Sequence, residues 1–363
     1  MTAARQPASK AARGEKFRRL AEELRRDIAA LRWPDGRLPT EQQIATDHGV
    51  SLNTVRRAVD MLVADGLVYR RQGSGTYITD EEDRTAAAVI GVCVPSMTYY
   101  YPRVIGGIEA ELTRQGGQMM LRTSGYDAEQ ERLAVEGMLS AGATGLLLVP
   151  EPRPGEDPVV QLTRFQDLGV PVVTVERRFA TAADHHEFVC SNHASGAYAA
   201  TRHLVGHGHR RIAYLERHSP FSAEGVRAGY RTALQDAGID ADAMLRAGRD
   251  RWDAPDAESF LDEVLAEQAT AVLCFADREA ALLVAAARRR GLRVPGDLSV
   301  VGYDDEVADL SEVPLTAVSP AKAEVGRLAA QMVLRRIAEP DAPLVQQLVV
   351  PRLVVRESSG PVQ

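Results

Sequence analysis

From Phe17 the apolar positions Phe17, Leu20, Ala21, Leu24, Ile28 and Leu31 recur at spacings of three and four, which predicts an amphipathic helix. Trp33-Pro34-Asp35-Gly36 ends it with turn residues. Thr40-Glu41-Gln42-Gln43 then has the form of a capping box, in which the Thr40 hydroxyl and Gln43 satisfy orphan N–H groups of a short second helix. Ser51 opens a third helix. Its Val55, Ala58, Val59 and Leu62 make one buried stripe and leave Asn53, Thr54, Arg56 and Arg57 on the polar side. Two short runs, Leu67-Val68-Tyr69-Arg70-Arg71 and Thr76-Tyr77-Ile78, flank Gln72-Gly73-Ser74-Gly75 and predict a hairpin. The polar stretch 80–87 lacks periodicity and reads as a linker.

Beyond the linker, apolar runs alternate with helical patterns. Val89–Val94, Met119–Leu121, Leu146–Val149 and Val172–Val175 form one series, with helical stretches through Ile105, Ile108 and Leu112, around Leu133–Leu139 and at Leu162–Leu168. A second series begins near Phe188, with runs at Ile212–Leu215, Ala271–Phe275 and Leu298–Gly302. This alternation predicts parallel sheets covered on both faces. About 275 residues favour two lobes over one very large sheet. The expected division is an arm over 1–13, a head over 14–79, the linker 80–87, a body over 88–357 and a tail over 358–363. Within the body the lobes fall at about 88–185 and 186–315, with 316–357 crossing between them.

Composition sharpens this picture. Hydrophobic residues make up 45% of 363, ample for a packed core, and no apolar run reaches the length of a membrane span. The first residues lack the apolar segment of a signal peptide, so a cytoplasmic location is expected. Cys93, Cys190 and Cys274 lie in or beside apolar runs without C-x-x-C spacing, so buried thiols are expected. Charge is uneven: residues 1–80 carry 14 Lys/Arg against 10 Asp/Glu, whereas the remainder carries 29 against 40. A basic head on an acidic body points to a polyanion met by the head alone.

Two capped helices joined by a glycine-containing turn, the second carrying amide and guanidinium groups near its start, describe a helix-turn-helix, and the hairpin describes a wing. Asn pairs with adenine edges, and Arg with guanine or phosphate. Candidate DNA contacts are therefore Asn53, Thr54, Arg56 and Arg57, with Thr40 and Ser51 at the helix starts and Arg71, Gly73 and Gly75 in the wing. A small helical domain with ordinary surface arginines is the plainer alternative. Leu38-Pro39-Thr40-Glu41, Val50-Ser51, Thr54-Val55-Arg56, Gly66-Leu67-Val68 and Gly73-Ser74-Gly75-Thr76-Tyr77 closely resemble the winged helix-turn-helix of GntR-type transcription regulators, over about residues 14–79. The chain departs from that pattern at Leu52, where Arg or a polar residue is usual, and at Gln42, where Arg is frequent.

The body resembles the LacI/GalR-type effector domain. The matching stretches include Ile90-Gly91-Val92-Cys93-Val94-Pro95, Gly145-Leu146-Leu147-Leu148, Gly208-His209-Arg210-Arg211-Ile212 and the run from Leu292 through Val294-Pro295-Gly296-Asp297 to Gly302-Tyr303-Asp304-Asp305. Together the resemblances imply an α/β two-lobed periplasmic-binding-protein-like (type I) body with an N-terminal winged helix-turn-helix domain, an architecture similar to that of arabinose-repressor-like regulators. Ligands of open parallel sheets sit beyond the carboxyl ends of the strands. On that basis the resemblance implies effector contacts at Tyr99, Tyr100, Tyr101, Ser124, Glu176, Arg177, Asn192, Asp277 and Asp304. Tyrosine faces suit the C–H surface of a sugar, and carboxylates with Arg suit its hydroxyls. Each position also admits a plainer role as a strand-end cap, Asp277 and Asp304 above all. Val226, Ala276 and Ser191 stand where the family usually has Arg, Asn and Asp, which removes three polar groups from the cleft.

The implied function is a homodimeric, ligand-responsive repressor that leaves double-stranded operator DNA when it binds a small molecule, a mono- or oligosaccharide, with no membrane partner. The alternatives are an activator or co-repressor-dependent regulator with a non-sugar effector, an exported solute-binding protein, and a GntR-type head on an enzyme body. G-x-x-x-x-G-K-[ST], G-x-S-x-G and H-E-x-x-H patterns do not occur, so no catalytic residue, cofactor or metal is expected. His203, His207 and His209, and the pair His185-His186, lack ligand-spaced carboxylates or thiols and are expected to be structural or solvated.

Overall fold

The computed structural model describes residues 10–30, 32–33, 35–64, 67–71, 74–79, 88–151, 153, 155, 157–178, 185–218 and 222–363. The chain divides after Ala88 into a head and a body. The expected linker 80–87 lies outside the described residues, as does Leu31.

In the head, α1 (Lys10–Ala29), α2 (Glu41–Asp47) and α3 (Leu52–Ala64) precede the antiparallel pair β1 (Val68–Arg71) and β2 (Gly75–Ile78). The apolar stripes meet in one core: Leu20, Ala21, Leu24 and Ile28 of α1, Ile44 of α2, Val55, Ala58, Val59 and Leu62 of α3, and Val68. The capping box forms, with Gln43 N–H donating to Thr40 Oγ1 at 3.3 Å and Thr40 N–H to Gln43 Oε1 at 2.9 Å. The segment before α2 adds a third pass to the wing, since Leu38 N–H donates to the Thr76 carbonyl and Ile78 N–H to that of Gly36. Helix α1 starts at Lys10, inside the stretch expected to be an arm.

The body contains two six-stranded sheets. In the first, all neighbours pair in parallel in the order β13 (Gln346–Val349), β7 (Glu187–Ser191), β6 (Val172–Val175), β5 (Gly145–Leu148), β3 (Val89–Val94), β4 (Gln118–Thr123). The second runs β14 (Arg352–Val354), β12 (Thr316–Ser319), β11 (Ser299–Tyr303), β10 (Ala271–Cys274), β8 (Ile212–Arg217), β9 (Arg246–Arg249), parallel except for β14. Helices α4 (Tyr101–Arg114), α5 (Ala128–Ser140) and α6 (Pro158–Gln166) follow strands of the first sheet. Helices α7 (His193–Gly206), α8 (Ala223–Asp236), α9 (Ala254–Ala266) and α10 (Asp277–Arg289) belong to the second lobe, and α11 (Lys322–Ala338) packs on α4 and the first sheet.

Two expected boundaries need correction. The run at Phe188 does not open the second lobe. It is β7 of the first sheet, buried throughout and paired with β6 and β13, so the chain crosses at Asn192, after 191 rather than before 186. The residues read as a tail from 358 are instead built into the second sheet beside β11, at the start of β12. Ser358 Oγ donates to the Val300 carbonyl at 2.5 Å, and Gly360 N–H to Ser299 Oγ at 3.2 Å. The histidines serve the same segment, His203 Nε2 meeting Ser359 Oγ at 2.8 Å and His209 Nε2 the Gly360 carbonyl at 3.0 Å. His186 is buried against Phe165 rather than solvated. All three cysteines are buried free thiols.

Helix α11 reaches α4 through two glycines. A Cβ on Gly107 would land on the Ala323 carbonyl, and one on Gly326 on the Val104 carbonyl, so the backbones touch where any side chain would hold them apart. Gly326→Ala is expected to lower the stability of the body by about 1–3 kcal/mol, because backbone rather than a movable side chain must give way. Thermal unfolding of parent and variant checks this, and an unchanged melting temperature would show that the helices separate freely.

Candidate functional site

The head places Ser51, Asn53, Thr54 and Arg56 at the exposed start of α3. Asn53 is exposed, and Ser51 caps α3, with Thr54 N–H donating to Ser51 Oγ at 3.3 Å and the two hydroxyls 2.9 Å apart. Arg56 Nε donates to Glu41 Oε2 at 2.9 Å, and Arg70 reaches Glu41 Oε1 at 3.4 Å and Asp60 at 2.6 Å. Such exposed ion pairs are weak. Arg57 lies over the Phe17 ring at 4.4 Å, which draws it toward α1 rather than the helix start. Thr40 holds its capping box at the start of α2, Arg71 closes β1, and Gly75 is left-handed with φ +132° against Arg37. Gly73 lies outside the described residues.

In the body, the candidate residues follow the carboxyl ends of strands of both sheets, and all but Asn192 fall into three groups. Tyr99, Asp277 and Asp304 converge across the lobes. The Tyr99 hydroxyl, on the first lobe at φ +66°, donates to Asp277 Oδ1, while the N–H groups of Glu306 and Val307 donate to Oδ2 at 2.5 and 2.7 Å. Asp277 thus caps the turn after β11, not its own helix, whose N-cap is Ala276. Arg278 lies over the Tyr99 ring at 3.9 Å. Asp304, left-handed at φ +80°, has its carboxyl pushed up to about 8 by burial and by the charges of Asp277 and Glu279, against the opposing charge of Lys322.

The second group gathers on Glu176. It accepts the Tyr100 hydroxyl at 2.7 Å, Ser191 Oγ at 3.0 Å and Ser191 N–H at 2.9 Å. Tyr101 packs edge-on against Tyr100 at 5.5 Å, and burial raises both phenols. In the third group, Ser124 and Arg177 turn onto Glu151: Ser124 Oγ donates at 2.6 Å, and Arg177 Nη1 donates to the carboxylate at 2.6 Å and to the Pro150 carbonyl at 2.9 Å. Glu131 accepts the Glu151 N–H at 2.6 Å, and burial pushes its own carboxyl up to about 7. Asn192 stands apart as the cap of α7, taking the Ser195 N–H at 3.1 Å.

Sequence reasoning missed the supports. Lys322, buried at the start of α11, pairs with Glu306 at 2.6 Å, donates to the Asp304 carbonyl and lies 5.1 Å from the Tyr100 ring centre. Glu151, Glu131, Glu279 and Arg278 complete the surroundings. Position was the signal for Glu151, Arg278 and Glu279, which follow apolar runs by a few residues as the named candidates do, whereas Glu131 lies inside α5 and carried no such signal. Among the described residues no cluster of His, Cys, Asp and Glu is suited to a metal ion, and no helix is long and apolar enough to cross a membrane.

Comparison with known proteins gives this geometry its context. Residues 16–78 match the bacterial regulatory proteins of the gntR family, and residues 201–359 match a periplasmic binding protein-like domain. The arabinose metabolism transcriptional repressor of Geobacillus stearothermophilus is 29% identical over 337 residues, 90% of this chain and 92% of its own. The HTH-type transcriptional repressor PurR of Vibrio atlanticus is 31% identical over 258 residues, 69% of this chain and 75% of its own. The chain belongs to the GntR/LacI-type transcription regulators. A solved structure of the transcriptional regulator CelR with cellobiose overlays with a TM-score of 0.66 at 26% identity, covering 88% of this chain and all of that one.

Within this regulator the three departures have local explanations. Val226 is buried in the second lobe's core with Tyr214 and Tyr230, and its neighbour Arg227 turns to Glu216 at the end of β8. Ala276 is buried where β10 hands over to α10, and Ser191 gives both its donors to Glu176. In the head, Arg56→Ala is expected to weaken binding of the regulator to its operator by about 1–3 kcal/mol if the side chain reads a base. An electrophoretic shift at matched salt tests this; undiminished affinity would remove Arg56 from the interface.

Proposed function

We propose that this regulator is a repressor that releases double-stranded operator DNA when a sugar enters the cleft of its body, and that it acts as a cytoplasmic homodimer without enzymatic activity. The observation that carries the reading is the direct bond between lobes at the strand ends, Tyr99 on Asp277. A ligand hydroxyl competing for that acceptor changes what joins the lobes, and a ligand moves such an equilibrium only through its differential affinity for the two arrangements. The names of the relatives support the chemistry: one is an arabinose metabolism repressor and another was solved with cellobiose. Pairing two heads would double the base contacts and fix the half-site spacing.

The test uses the full chain, the DNA upstream of its own gene, and a panel of mono- and disaccharides. A binding sugar present at about 100 times its Kd raises stability by about 2.7 kcal/mol, visible as a rise in melting temperature, and the same sugar releases the DNA in a mobility shift. A panel in which no sugar does either would overturn the reading. Sedimentation is expected to show a dimer, and a strict monomer at operator-binding concentrations would count against the paired heads.

A further inference from the structure

The wing of the head is completed by a residue that no motif announced. Arg37 lies between Gly36 and the Leu38-Pro39-Thr40-Glu41 stretch, in the pass that pairs with β2, and stands opposite Tyr77. Tyr77 in turn stands opposite Tyr69 of β1. Directly opposed residues share a face of the sheet, and these three make one row. The Tyr69 and Tyr77 rings stack at 5.7 Å, and the Arg37 guanidinium lies 5.7 Å from the centre of the Tyr77 ring. The next pair along, Val68 and Ile78, packs on the head's core, so the row lies on the outer face of the wing.

From this row Arg37 reaches the end of the hairpin. Backbone bonds tie the third pass to Thr76 and Ile78, and the Arg37 side chain extends that hold to Ser74, its Nη2 donating to the Ser74 carbonyl at 2.5 Å. Ser74 Oγ lies 2.5 Å from the Tyr77 hydroxyl, so the same residue is held from two sides. Glycine at 75 lets the guanidinium lie against the backbone. A Cβ there would come within 3.2 Å of both Nε and Nη2, and φ +132° is itself a conformation that other residues rarely adopt. Strands of four residues are marginally ordered by themselves. A charge-assisted bond and a stacked row therefore order this end of the wing in the free protein, and the cost of ordering it does not fall on DNA binding.

We propose that Arg37 is a positioning residue for DNA binding, which sets Ser74 and Gly75 in the form that meets the duplex. The inference rests on the GntR-type head and not on the sugar reading of the body.

The test uses the full-length regulator and a duplex that it selects from a random library. Arg37→Met keeps an apolar stem over the Tyr77 ring and removes the donors. In the free protein it is expected to speed amide hydrogen exchange across residues 74–78 by about fivefold, with α3 as protected as in the parent. At matched salt it is expected to weaken binding of the selected duplex by about five- to tenfold. Arg37→Lys separates positioning from a direct contact, because lysine keeps the charge that phosphate attracts but not the flat fork that lies on Gly75 and Tyr77. It is expected to leave exchange fast and binding at least about threefold weaker than the parent. Unchanged binding in Arg37→Met overturns the proposal. Weakened binding with parent-like exchange, in either variant, makes Arg37 a direct contact and overturns it too, as does full affinity in Arg37→Lys while exchange stays fast. Should Arg37→Met lose the protection of α3 as well, Arg37→Lys carries the test, and its binding the duplex as the parent does overturns the proposal.

Discussion

Lys322→Met is expected to lower the stability of the body by about 3–5 kcal/mol, the usual consequence of removing one partner from a buried ion pair. The Lys322 side chain is 1% exposed, and Glu306, 2.6 Å away, is 10% exposed, so water cannot replace the lost cation. The same ammonium holds the Asp304 carbonyl, and α11 is packed on the first lobe while Asp304 and Glu306 follow a strand of the second. One substitution therefore removes the nearer cation of Glu306, leaving Arg103 3.4 Å from its other oxygen, and cuts a tie between lobes. At about 2–4 °C per kcal/mol for a unit of this size, melting should fall by roughly 6–20 °C. Adding Glu306→Gln should recover most of the loss, because removing both charges of a buried pair is often close to neutral. A loss below about 1 kcal/mol, or no recovery in the double variant, would show that the pair is solvated and weak.

What could be read from the sequence follows the range of the forces involved. The head was legible because its signals are local: stripes at helical spacing, a capping box at Thr40 and a serine cap at Ser51 all lie within a few residues of what they organise. The lobes were legible as alternating runs, but β7 was assigned to the wrong one. Its place depends on pairing with β13, more than 150 residues later, and nothing in Phe188-Val189-Cys190 announces that partner. The strand-end rule picked out residues that largely lie together in the body, without finding what each side chain bonds. Arg177 and Ser124 sit where a ligand-binding pair belongs, yet both turn onto Glu151, a residue with no motif around it. Lys322 was invisible for the same reason as β7. Its burial arises only because the chain returns from β12 to the first lobe and brings the start of α11 against the turn after β11.

Asp304→Asn should alter both stability and response. A carboxyl whose pKa rises on folding supports the fold fully below the ordinary carboxylate range and loses that support as the pH climbs through the raised value. Asp304 is raised to about 8 and Glu131 to about 7, both chiefly by burial, so the body should become progressively less stable from about pH 4 to about pH 8. Glu111 works in the opposite sense. Arg114 holds it down to about 2, so its contribution is present above the ordinary range and lost toward that pH. The asparagine variant removes the Asp304 part of the alkaline slope. Discounted for residual solvent screening, it should be about 1–3 kcal/mol more stable than the parent near pH 9, with the advantage vanishing in mild acid. A capping role for Asp304 would give the opposite result, a loss at every pH, but the N–H groups of the following turn are held by Asp277. For the effector, the substitution exchanges the O–H donor of a mostly protonated carboxyl for an amide, and losing one hydrogen-bond partner in a buried site costs about 1–3 kcal/mol, roughly 5- to 150-fold in affinity. The variant should therefore hold operator DNA at sugar concentrations that release the parent. Melting curves across pH and calorimetric titration with a sugar that binds the parent check the two halves separately. Parallel pH profiles would show that Asp304 is ionised and solvated, and equal affinities would place the ligand away from it.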